Sequence, residues 1–121
     1  MSEVSPLEPS RRRRALAPLA DRLRQARREL GADATLLRLS ILLTVYMHEG
    51  RSQNELLGLM EATSATALSR NLADLSAWTS RKAPGPGLVE LRADPMNLRR
   101  KTVHLTDQGR AVAERILDPP A

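Results

Sequence analysis

Between Leu36 and Met47 only Arg38, Ser40 and Thr44 are polar. An amphipathic surface helix needs a wider polar face, so a helix here is buried on most sides and forms the centre of a core. It is expected to start near Asp33 or Thr35 and to run to about Glu49, with Gly50 as its stop. Other elements must therefore wrap around it. At 121 residues the chain suffices for one domain with a real core. With no Phe, one Tyr (Tyr46) and one Trp (Trp78), that core is aliphatic.

Several function classes fall away on composition. There is no Cys, which excludes disulfides, thiolate catalysis and zinc-finger ligation. His48 and His104 are isolated and read as surface or half-buried imidazoles, so neither a metal nor a cofactor is expected. There is no motif pairing of His with carboxylate and no phosphate-binding glycine loop, so the chain is not expected to be an enzyme. The longest apolar run, Leu39 to Met47, is far shorter than the roughly 18 residues of a membrane helix. The polar start carries no signal core, and a cytoplasmic protein is expected. The net charge is +5, with 17 Arg and 2 Lys. The guanidinium fork suits phosphate, although codon bias in a GC-rich genome gives the same skew.

Residues 1–14 read as a disordered basic arm. They hold Pro6, Pro9 and the block Arg11–Arg14, which is either a solvated arm or one that lies along a phosphate backbone. Residues 15–31 read as a helix: Leu16, Leu19, Leu23, Ala26 and Leu30 form one stripe, Pro18 falls in the first turn, and Gly31 ends it. The stripe fits a dimer seam, or packing on its own domain.

Residues 33–106 carry the candidate binding domain. Ser52 and Glu55 have the spacing of a capping box, which opens a short helix through about Met60. After a turn at Glu61–Thr63, a second helix spans 64–78 with Ala65, Leu68, Leu72 and Leu75 on one face. Two such helices make a helix-turn-helix. Ser64, Thr66, Ser69, Arg70 and Asn71 mark the outer face of the second, and side chains of these types reach base edges and phosphates in a major groove. An ordinary solvated face has the same composition. Ser52 places backbone N–H groups where they can meet a phosphate.

A composition-defined loop runs from Thr79 to Gly87. Leu88–Arg92 and Lys101–Leu105 read as paired strands, with Val103 and Leu105 inward. Between them Ala93–Arg100 reads as a projecting hairpin loop that carries Asn97, Arg99 and Arg100, followed by Lys101. Residues 107–121 are a last helix, capped by Thr106 and packed through Val112 and Ile116, with a proline tail.

The expected fold class is thus mainly α (α+β): a winged helix-turn-helix with a two-stranded wing and extra terminal helices. The run Gly87-Leu88-Val89, Asp94-Pro95, Arg99, then Leu105-Thr106-x-x-Gly109 resembles the wing of the multiple-antibiotic-resistance-regulator (MarR) family. Asn97 departs from that pattern, in which an aspartate braces the wing arginine; Asp94 is placed to substitute. The Thr79–Pro86 link is longer and the last helix shorter than usual, which suits a divergent or minimal member. The resemblance implies a homodimer held by the terminal helices. Leu16, Leu19, Leu23, Leu30, Val112 and Ile116 are its candidate contacts. It also implies double-stranded DNA as partner, with Arg70 resembling the recognition-helix arginine and Arg99 the minor-groove arginine of the wing. Arg100 and Lys101 would neutralise phosphates. The resulting expectation is a dimeric transcriptional regulator, a repressor; scarce aromatic lining speaks against a small-molecule effector, although Leu and Met can also line a pocket. The competing expectation is a winged helix that contacts protein in a replication or mobile-element complex.

Overall fold

The computed structural model describes residues 8–121. Seven elements follow in order: α1 (Pro9–Leu30), α2 (Leu36–Met47), α3 (Gln53–Leu59), α4 (Ala65–Leu75), β1 (Val89–Asp94), β2 (Asn97–Leu105) and α5 (Asp107–Leu117). The core gathers around α2, whose Ile41, Leu42 and Val45 are buried against Leu56, Leu68, Leu72, Leu75, Leu88 and Val103. The ends of α2 differ from expectation: Leu36 and Met47 stand exposed. No helix of the described residues is long and apolar enough to cross a membrane.

α1 corrects the expected arm. The part at 1–7 lies outside the described residues, but residues 9–14 are helical. Pro9 occupies the first turn, where its fixed φ suits a helix, and arginine is a good helix former, so the leucine-striped helix propagates back through Arg11–Arg14. Pro18 consequently sits inside the helix and withdraws the N–H that would bond the Arg14 carbonyl. The C-terminal half of α1 is tied to α5. Arg115 grips Glu29 through Nε (2.6 Å) and Nη2 (3.0 Å), and Arg22 Nε donates to the Leu117 carbonyl (3.0 Å). Arg115 and then Gln25 hold the Glu29 carboxyl below its ordinary pKa against the opposing effect of burial.

Val112 and Ile116 are buried in the chain's own core, because α5 packs on α1, α2 and β2. They are therefore not free to make a dimer contact. Leu16 (62% exposed), Leu19 (52%) and Leu23 do remain open to solvent.

The hairpin is antiparallel, with Val89 opposite Leu105 and Leu91 opposite Val103. Both strands reach further than expected, leaving only Pro95–Met96 between them, with Asp94 opposite Asn97. The register slips beyond Ala93–Lys101, so Leu98–Arg100 form a bulge on β2. The expected long loop is thus a tight turn plus an irregular strand. Side chains stabilise it locally: Asp94 Oδ1 accepts from the Met96 N–H (2.9 Å) and Asn97 Oδ1 from the Arg99 N–H (3.2 Å). Residues 50–52 add a short third rung through Gly50 N–H to the Val103 carbonyl and Val103 N–H to the Arg51 carbonyl, both 2.8 Å.

The wing and α5 meet at a latch. Thr106 N–H donates to the Leu88 carbonyl (3.0 Å), its hydroxyl donates to the Gly87 carbonyl (2.6 Å), and the same hydroxyl accepts from the Gly109 N–H (2.9 Å). A Cβ at Gly109 would lie 1.9 Å from the Leu88 carbonyl oxygen, so only glycine lets the first turn of α5 approach β1. This is the physical content of the Leu105-Thr106-x-x-Gly109 spacing.

Candidate nucleic-acid interface

The helix pair α3–α4 is set by its caps. Ser52 and Glu55 complete the capping box: the Glu55 N–H donates to Ser52 Oγ (3.2 Å) and the Ser52 N–H to Glu55 Oε1 (3.1 Å). Ser52 is buried and its backbone N–H is consumed in the box, so it does not offer that group to a phosphate. Ser64 caps α4 by accepting from the Ala67 N–H (3.1 Å). Leu68, Leu72 and Leu75 then face the core, and Ser64, Thr66, Ser69 and Arg70 are exposed.

Asn71 separates from that exposed row. It lies on the flank of α4 that faces α2, where its Nδ2 donates to the Ala67 carbonyl (2.9 Å) and its Oδ1 accepts from Arg38 Nε (3.1 Å). Arg38 also pairs with Asp74 (2.9 Å). Asn71 and Asp74 thus brace α4 against α2, an internal task that residue type alone does not reveal.

The basic triplet of the wing divides in the same way. Arg100 pairs with Asp94 at 3.3 Å and with Glu55, the capping-box residue of α3. Its guanidinium is thus held by the protein's own carboxylates, whereas a phosphate was the partner expected for it. Arg100 reaches across to α3 through Glu55, and Asp94 does not take the place of the missing aspartate: it holds Arg100 and leaves the expected wing arginine, Arg99, unbraced. Among the described residues Arg99 and Lys101 are exposed with no ion pair. Asn97 is exposed at the turn and spends its carbonyl on the Arg99 backbone.

Two shallow clefts show that these parts share one face. The first, about 490 Å³, is lined by Thr66, Ser69 and Arg70 of α4 together with Gln53 and Ser80. The second, about 300 Å³, is lined by Arg99, Arg100 and Lys101 of the wing together with Gln53 and Asn54. Gln53 lies in both, so the exposed face of α4 runs through the start of α3 into the wing. Among the described residues no cluster of His and carboxylates could hold a metal. His104 is half-buried and bonded to Thr102 Oγ1 (2.8 Å).

Comparison with solved structures bears directly on this arrangement. The S. aureus MepR–DNA complex superposes with a TM-score of 0.64 at 22% identity, covering 92% of this chain and 84% of that one. MarR gives 0.57 at 25% identity, covering 96% and 73%. An E. coli MarR variant complexed with operator DNA gives 0.58 at 24%, covering 86% and 69%. The fold is that of the MarR-family winged-helix regulators. No protein-family model matches the chain, and no curated protein does. In this chain α1 and α5 pack together, and α4 is the second helix of the helix-turn-helix.

Proposed function

We propose that the chain is a homodimeric, sequence-specific duplex-DNA-binding transcription regulator that acts as a repressor. The observation that carries this reading is the shared position of Gln53, which puts Arg70 and Arg99 on one continuous polar face. The MepR and E. coli MarR structures compared above are DNA complexes, and in this chain α4 and the wing carry arginines that make no ion pair among the described residues. Arg70, with Ser69 and Thr66, reads base edges in the major groove. Arg99, lifted by the bulge, enters the minor groove, where a narrow groove concentrates negative potential. Lys101 neutralises a phosphate. The dimer forms through Leu16, Leu19 and Leu23. Their stripe runs into an apolar hollow of about 220 Å³ that includes Leu30, Leu36 and Leu39. Contiguous exposed apolar surface of this kind marks a site for a partner. A paired protein occupies two half-sites about one helical turn apart, and repression follows from occupying a promoter.

The test is selection of bound fragments from random duplex DNA, followed by salt titration of the selected sequence. A palindromic preference with affinity that falls steeply with salt is expected. Absence of both would overturn the proposal. A second reading rests on Met96 (93% exposed) and Leu98 (75%), apolar residues at the wing tip that suit a protein partner. Under that reading the same selection returns no enriched sequence.

A further inference from the structure

The link from α4 to β1 is a built turn rather than a slack connection. The Thr79 N–H donates to the Ala83 carbonyl (2.8 Å) and the Lys82 N–H to the Thr79 carbonyl (3.0 Å). Trp78 and Pro84 form an antiparallel bridge below them, and the Gly85 N–H reaches the Ala77 carbonyl (2.9 Å). A Cβ at Gly85 would stand 2.2 Å from the Ser76 carbonyl oxygen, so the two limbs cross where only glycine fits. Lys82 adopts the left-handed region (φ 58°), which closes the tip.

Asp74 of α4 fixes the direction of this turn. Its Oδ1 accepts from both the N–H (3.0 Å) and the hydroxyl (2.6 Å) of Ser80, while Oδ2 holds Arg38. The tip is thereby clamped to α4, and Ser80 lines the same cleft as Thr66, Ser69 and Arg70. Beyond the clamp, Arg81 and Lys82 are exposed, and their side chains make no hydrogen bond or ion pair among the described residues.

We propose that Arg81 and Lys82 form a second cationic finger, which grips the DNA phosphates bordering the major groove that α4 enters. The inference rests on the DNA-binding reading above and extends its contact surface to the turn that follows α4. Phosphate rather than base is the target because Asp74 clamps the turn to α4 through Ser80, which leaves two long cationic side chains and no short polar group at its tip. Contacts of this kind fix register on the duplex without reading sequence. Arg supplies a fork and Lys a point charge, both suited to phosphate oxygens.

The test compares the wild-type protein with R81A/K82A on the duplex recovered by selection, across a salt series. The expected result is a salt slope lower by about two units, one for each lost phosphate contact. The preferred sequence should be unchanged, and R81K/K82R should keep the wild-type slope. Far-UV circular dichroism and the melting temperature verify that each variant is folded. A folded R81A/K82A protein with the wild-type slope overturns the finger. So does one that loses sequence preference, since that marks a base reader. Wild-type protein with no salt-dependent duplex binding instead overturns the DNA-binding reading, and the finger falls with it.

Discussion

Arg99 and Arg100 are neighbours in the chain and opposites in the structure. Arg100 is pinned by Glu55 and Asp94, whereas Arg99 points to solvent with no partner among the described residues. On α4 the adjacent pair Arg70 and Asn71 divides the same way, one exposed and one bonded to Arg38. In each pair one side chain holds the shape of the surface and the other is left to act on a partner. Rigid presentation lowers the ordering cost of binding, so the bracing residues serve affinity indirectly.

The largest expected effect comes from breaking the support that both regions share. Gly109→Ala forces a Cβ against the Leu88 carbonyl and should destabilise the domain by about 3 kcal/mol, read by urea denaturation. Wild-type stability in that variant would show that α5 can retreat from β1 at little cost. Next, Arg70→Ala should weaken binding to the selected duplex by roughly 1–3 kcal/mol and relax its sequence preference. An unaltered preference would remove α4 from base recognition.

Smaller effects sharpen the contrast within the wing. Arg99→Ala should lower the salt slope by about one unit. Arg100→Ala should leave that slope almost unchanged and cost only about 0.2–1 kcal/mol of folding stability, as expected for a partly exposed ion pair. If the two variants change DNA binding equally, the division of labour assigned here is mistaken.

The smallest effect is one of pH. Ser80, through its hydroxyl and then its N–H, holds the Asp74 carboxyl below its ordinary range, with Arg38 and Arg81 adding to the shift. A depressed folded-state pKa means that the stabilisation is complete above about pH 4, the unfolded value, and is lost as pH falls below it. Thermal melts between pH 5 and pH 2.5 should therefore drop less steeply for Asp74→Asn than for wild type. Parallel curves would show that the Ser80 clamp adds no stability.

Much of the fold was legible in the sequence because its signals are local. The capping box at Ser52–Glu55 and the Thr106 cap each close within three residues, so spacing alone reveals them. The apolar run of α2 marked the core centre for a similar reason: a helix with so few polar positions has to be enclosed. The reach of α1 was missed because helix propensity in an arginine block competes with charge repulsion, and sequence pattern does not say which wins. The wing turn was read as a long loop because its strand ends in a bulge, where alternation breaks down.

Residue types and their periodicity were enough to determine the order of elements, the aliphatic core and the cationic character of the hairpin. Tertiary structure alone decided which cations stay free. Glu55 lies 45 positions from Arg100, and Arg38 lies 33 from Asn71. It likewise took Val112 and Ile116 into the chain's own core and left Leu16 and Leu19 outside it. The reason is physical: the charge on a side chain is a property of the residue, but whether that charge is already neutralised depends on what the folded backbone brings within a few ångströms of it.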